Sequence, residues 1–129
     1  MVDCVISSTL GEGWGLSSTE AMATRTPILF PNNTALTEII GNKEERGTFI
    51  ASGSNPNLFV HNGPEDHDRI RPRVDIIDMV RKMEFIMDHV DKPVIQNRVD
   101  AAYEWVKTIT WKEIGRQWNE LFDEAYTQL

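Results

Sequence analysis

Two acids and three glycines share one short stretch, Leu10 to Pro27, reading LGEGWGLSSTEAMATRTP. Glu12 stands among Gly11, Gly13 and Gly15, and Glu20 follows after seven intervening residues. Carboxylates accept strong hydrogen bonds from vicinal hydroxyls, so acids spaced this way suit the grip of a polyhydroxylated ligand. Glycines beside them let the backbone bend and come close to whatever is bound. Where such a turn joins a strand's carboxyl end to a helix's amino end, free N–H groups and the helix dipole converge on an anion site. Both acids also have plain structural readings. Ser17-x-x-Glu20 has the form of a capping box, and Glu12 can be read as a solvated turn residue. Trp14, an aromatic on the same loop, fits a binding role better than a core one.

The flanking segments supply the strand and the helix that this chemistry needs. Asp3 to Ser8, DCVISS, reads as a short buried strand, and Ser17 to about Thr24 as a helix opened by the capping box. Pro27 to Phe30 is a second short strand, NNTALTEII a helix ended by Gly41-Asn42, and Gly47 to Ser52 a third strand. This alternation predicts an α/β fold, with a parallel sheet flanked by helices. Gly53 to Arg73 changes character. It carries three prolines, two glycines and mixed charge without a helical period, so it reads as a long surface loop. His61 and His67 lie there with Glu65, Asp66 and Asp68, in a spacing that matches no zinc or calcium loop.

Residues 74–129 read as mainly helical. Ile76, Ile77, Val80, Met83, Ile86, Met87 and Val90 form an apolar stripe assigned to the core. Val94 to Lys107 is a further helix, and a last one runs from Thr110, where Thr110-x-x-Glu113 repeats the capping-box pattern, to about Tyr126. Trp111, Ile114, Trp118, Leu121, Phe122 and Ala125 share its apolar face. Doubly wound sheets usually have about five or more strands. A sheet of three that opens directly on a strand therefore reads as the second half of a larger domain.

Composition narrows the partners. The 129 residues, with 40% hydrophobic and 26% charged content, fit one globular domain. A net charge of -7 disfavours nucleic acid and anionic membrane surfaces as partners. The single cysteine, Cys4, sits in an apolar run, which suits a small buried residue and a reducing compartment. No amino-terminal signal pattern and no transmembrane segment is read, so a cytoplasmic location is expected.

The glycine loop is not a dinucleotide fingerprint. Leu16 or Ser18 falls where the third glycine of G-x-G-x-x-G belongs, and Asn32 and Asn33 replace the ribose-binding acid. Nor is there a P-loop. Instead VISSTLGEGWGLSSTEAMATRTPILF, followed by ALTEII, resembles the signature of the GT-B fold, family-4-type retaining glycosyltransferases. That pattern is a strand, then S-x-x-E-G-[FW]-G-L-x-x-x-E-A-M-A-x-G-x-P-[VI], then x-x-E-[IV]-[IV]. The match covers Val2 to Ile40 closely, with a weaker echo of the family's closing [ST]-W helix at TWKEIGRQWNELFDEAY.

The resemblance implies a partial Rossmann-like sheet, the carboxyl-terminal half of a GT-B enzyme, as the nucleotide-sugar-binding part. Glu12, Gly13, Trp14 and Gly15 would meet the donor sugar, and Gly15, Leu16 and Ser17 the diphosphate. Glu20 would bind the ribose. The co-substrate would be a UDP- or GDP-linked sugar, with no metal and no other cofactor. No catalytic residue is assigned in this chain. The family's phosphate-neutralising Arg and Lys have no counterpart here, and catalysis in the family needs a two-domain cleft. The remaining part of the enzyme, or a partner chain, is therefore implied, and this segment alone should be inactive. A non-catalytic nucleotide-sugar-binding or interaction module is the other reading. Two positions depart from the pattern: Thr9 occupies a serine slot, and Arg25 occupies the glycine at the helix end.

Overall fold

The computed structural model describes residues 2–128. Three short strands, β1 (Val5–Ile6), β2 (Ile28–Pro31) and β3 (Thr48–Ile50), pair in parallel in the order β1-β2-β3. Parallel neighbours need a crossover rather than a hairpin. Here α1 (Leu16–Ala23) and α2 (Thr34–Ile40) provide it. Register is set by Val5 opposite Ile28 and by Phe30 opposite Phe49.

All four residues of β2 are buried, as a central strand covered on both faces must be. Its side chains alternate between two cores. Ile28 and Phe30 join Phe49, Leu36, Ile39, Ile40 and Met22 on one face. Leu29 joins Ile50, Ile86, Ile95 and Val99 on the other, beneath α3 (Ile76–His89) and α4 (Pro93–Val106). α4 reaches both cores, because Ala102 packs with the first while Ile95 and Val99 pack with the second.

The sheet's two edges differ. β3 is closed by side chains: a Glu44 carboxylate oxygen accepts the Phe49 N–H at 2.7 Å, and Asp78 accepts that of Ala51 at 2.7 Å. Arg98 fixes Glu44 in turn, donating to it at 2.9 Å and to the Thr48 hydroxyl at 2.8 Å. Along β1, the N–H groups of Val5 and Ser7 bond to β2. Those of Cys4, Ile6 and Ser8 point away and meet no acceptor among the described residues. Beside that open edge, Cys4, Ile6, Met83, Ile86, Met87 and Val90 line an apolar groove of about 270 Å³. Burial pushes the Cys4 thiol up to about 11, which keeps it protonated and unreactive near neutral pH.

Three expectations change. The segment 53–73 is at the surface but is not an unstructured loop. β4 (Phe59–His61) and β5 (Ile70–Pro72) fold back as an antiparallel hairpin, with Gly53 N–H bonded to Arg73. Its prolines sit in single-turn 3₁₀ segments and at the end of β5, where no ladder donor is needed. The apolar stripe of α3 is broader than the face it buries. Met79, Met83 and Ile86 turn inward at helical spacing, leaving Ile76, Ile77, Val80 and Met87 exposed. Asp75 caps this helix, accepting from Ile77 and Asp78. The capping box expected at Ser17 and Glu20 does not form, as described below.

α5 (Trp111–Thr127) begins as expected, with the Thr110 hydroxyl accepting the Glu113 N–H at 3.1 Å. Yet none of its residues is buried, and Trp111 is 92% exposed. Its apolar face has no cover among the described residues. No helix there is long and apolar enough to cross a membrane.

Arg25 takes a left-handed conformation, at φ 56°, of the kind that favours glycine. Its side chain crosses to α4, pairing with Asp100 and lying 4.0 Å over the Tyr103 ring. Those contacts offset backbone strain of about 1 kcal/mol. Arg25→Ala keeps the strain and loses the contacts, whereas Arg25→Gly loses both. Denaturant unfolding should therefore find the glycine variant more stable than the alanine variant by about 1 kcal/mol. A second expectation concerns α5: Trp118→Glu with Phe122→Glu should shift unfolding by less than about 0.5 kcal/mol, against about 2–5 for Leu36→Ala in the core.

Candidate functional site

The carboxyl ends of all three parallel strands lie on one edge of the sheet, and the glycine-rich loop leaves from there. Thr9 shapes the loop's entry. Its hydroxyl accepts the Gly11 N–H at 3.3 Å and donates to the Gly11 carbonyl at 3.2 Å. A chain of hydrogen bonds then crosses the strand ends. The Glu12 N–H donates to the Thr34 hydroxyl at 3.0 Å, which donates to the Asn33 side-chain oxygen at 3.2 Å. The Asn33 amide donates to the Ser52 hydroxyl at 3.2 Å. Asn33 is buried, so this polar run has to be satisfied internally, and it is.

Thr34 itself has φ 47°, an uncommon conformation for a β-branched residue. Strain of this kind persists where surroundings over-determine the backbone, and such positions cluster at binding sites. Nothing in the residue types marked Thr34 or Asn33 as loop supports. The only sequence signal was their position directly after a strand.

Gly15 decides how α1 starts. With φ 83° it caps the helix in the left-handed region, and a side chain there would meet Leu36 Cδ2 at 3.0 Å. Ser18 donates back to the Gly15 carbonyl through its N–H at 2.9 Å and its hydroxyl at 2.7 Å. The helix therefore begins at Leu16 rather than Ser17. Ser17 lies inside the first turn and cannot act as the cap, and Glu20 falls in the second turn. The capping-box role is thus removed from both residues. The Glu20 carboxylate takes no hydrogen bond among the described residues, and Glu20 is exposed.

One consequence is a run of unused donors. The backbone N–H groups of Gly13, Trp14, Gly15, Leu16 and Ser17 meet no acceptor among the described residues. Nothing stands within 4 Å in front of Gly13. Glu12 is half-buried with its Cγ against Gly15, and its carboxylate likewise takes no hydrogen bond there. Successive amides and a helix end facing open space can bind oxyanions, and two unengaged carboxylates beside them can accept from hydroxyls. The structure thus gathers Glu12, Gly13, Trp14, Gly15, Leu16, Ser17 and Glu20 on one loop and one helix start.

Trp14 is partly claimed by the fold. Its ring stacks on Trp105 of α4 at 6.3 Å, and Arg46 covers Trp105 from 4.7 Å. It nevertheless stays 40% exposed, so the ring ties the loop to α4 while the loop's amides remain free. In the hairpin, His61 Nε2 lies 3.4 Å from Asp68, and no cluster of three or more metal-ligating side chains occurs among the described residues.

The hairpin also enters the site, which the composition of 53–73 did not show. Arg71 on β5 is held by Asp66, its Nε and Nη2 each donating at 2.8 Å. Those bonds, with one from Asn62, hold the Asp66 carboxyl well below the usual carboxylate range. Arg71 Nη1 comes within 3.1 Å of where a side chain on Gly11 would begin.

Thr34→Ala should release the Glu12 N–H. Its amide exchange with solvent, followed by NMR, is expected to speed up by about tenfold, whereas Thr34→Ser keeps the hydroxyl and the protection. Unchanged exchange in Thr34→Ala would show that the loop is held by other means.

No model of a known protein family matches this chain, and no curated protein matches it at a significant level.

Proposed function

We propose that this chain is the nucleotide-sugar-binding part of a retaining glycosyltransferase of the GT-B type, its parallel sheet being part of a Rossmann-like domain. The observation that carries the proposal is the run of unbonded amides from Gly13 to Ser17, flanked by Glu12 and Glu20, whose carboxylates accept no hydrogen bond among the described residues. In this reading the carboxylate of Glu12 and the backbone at Gly13, Trp14 and Gly15 hold hydroxyls of the donor sugar. The amides of Gly15, Leu16 and Ser17, at the positive end of α1, face the diphosphate. Glu20, one turn further along, accepts from the ribose hydroxyls. No metal is invoked. Hexosyl transfer to an acceptor would leave a nucleoside diphosphate, whose charge the helix end and amides would help to stabilise.

The surfaces left open support a further protein part as partner. The outward N–H groups of β1, the apolar groove beside it and the uncovered face of α5 would all be covered by a strand-bearing domain that extends the sheet. That domain would bring the acceptor site and the cations that this segment lacks. A second reading, a non-catalytic module that binds a nucleotide sugar while attached to another chain, is favoured by the same α5 face. The two differ in whether the covering domain completes an active site.

Titration calorimetry with UDP- and GDP-sugars tests the donor reading. One of them should bind, and Glu20→Ala should weaken it by about tenfold or more through loss of charge-assisted bonds to the ribose. Absence of binding to every nucleotide tried would overturn the donor site, and equal binding by Glu20→Ala would remove Glu20 from it.

A further inference from the structure

The guanidinium of Arg71 is unevenly used. Nε and Nη2 are committed to Asp66, both at 2.8 Å, in the forked geometry that fixes the plane of an arginine. Nη1 meets no acceptor among the described residues, and it is directed at Gly11, 3.1 Å from the position a Cβ would take. The side chain is three-quarters buried, at 25% exposure, so its orientation is set by packing as well as by charge.

A side chain at Gly11 would crowd this neighbour. Thr34 Cγ2 lies 3.2 Å from the same point. The residue that follows, Glu12, is tied to Thr34 through its N–H. The hairpin thus brings a fixed cation to the entry of a loop whose next amides are free. Elsewhere on the hairpin, Arg69 and Arg73 are exposed, and their side chains donate to no acceptor among the described residues.

We propose that Arg71 is an anion-binding residue of the glycine-rich loop, with Nη1 donating to a phosphate or carboxylate oxygen of the ligand held there. Asp66 and the hairpin serve to position it. The proposal rests on the reading that this loop binds a ligand, and it adds that the ligand carries an oxyanion at the Gly11 end. Two sources share that chemistry: the diphosphate of the donor, and a carboxylate on its sugar. An arginine in this place supplies from within the segment a positive group that the signature itself does not contain.

Pyrophosphate is the first probe, followed by the amide signals of Gly11, Glu12 and Gly13 in NMR. Wild type should show saturable shifts, Arg69→Met should match it, and Arg71→Met should bind about tenfold more weakly. Asp66→Asn separates a cation from a mere clasp, because it loosens the fork but keeps the guanidinium. It should retain pyrophosphate binding, and a loss as large as that of Arg71→Met would overturn the proposal. UDP-glucose and UDP-glucuronate then identify the source. Weakening of both by Arg71→Met points to the diphosphate, and weakening of UDP-glucuronate alone points to the sugar carboxylate. If the nucleotide sugars bind and Arg71→Met changes neither them nor pyrophosphate, Arg71 has no such role and the donor reading stands. Arg71-dependent pyrophosphate binding without nucleotide binding would sink the donor reading and keep the anion site. No binding of either kind overturns both.

Discussion

Parallel pairing is the constraint on which the rest of this structure depends. Because β1, β2 and β3 run in one direction, a crossover must join each to the next, and all three carboxyl ends emerge on the same edge. The glycine-rich loop, the Asn33-Thr34 turn and Ser52 are brought together by that geometry alone. Side-chain hydrogen bonds then make the meeting specific, from Glu12 through Thr34 and Asn33 to Ser52. The loop is held by its base and its neighbours, and its outward amides stay unspent.

The two glutamates are separated from their structural alternatives by one glycine. Gly15 accepts a left-handed backbone and starts α1 at Leu16, two residues before a cap at Ser17 would place it. Gly15 thus replaces Ser17 as the cap, and Ser18 takes the place expected of Glu20 as the residue bonded back to it. Glu20 is then a surface acid with no local task, and it faces solvent from the second turn. A similar conflict arises at Arg25, where a left-handed residue with a long side chain is kept in place by Asp100 and Tyr103. In both cases local backbone geometry is decided by what a neighbouring element offers.

The contrast between the sheet's edges reflects two ways of treating unpaired backbone groups. β3 is finished by the carboxylates of Glu44 and Asp78, which take the place of a further strand. β1 has no such finish, and the apolar groove and the bare face of α5 add surface of the kind that another protein part covers. The hairpin at 59–72 is different again, since its ordered Arg71 turns toward the glycine loop rather than toward an empty edge.

Alternating apolar runs and helical periods, each a property of neighbouring residues, were enough to assign the three parallel strands, the helices and the α/β class, though not the hairpin of β4 and β5. The amphipathic character of α5 and its Thr110 cap were equally legible, as both lie within one helix. The acids and glycines between Gly11 and Glu20 also stood out by type and spacing. What the sequence could not decide were relations between distant residues. Whether Ser17 or Gly15 capped α1 depended on Leu36 and on a backbone angle. The face of α3 depended on which of its apolar residues found the sheet, and Met79 won over Val80. Thr34 and Arg71 became part of the site only when folding carried them to Glu12 and Gly11. Side-chain type and period are local and survive in the sequence, whereas contact between residues far apart in the chain exists only after the strands have paired.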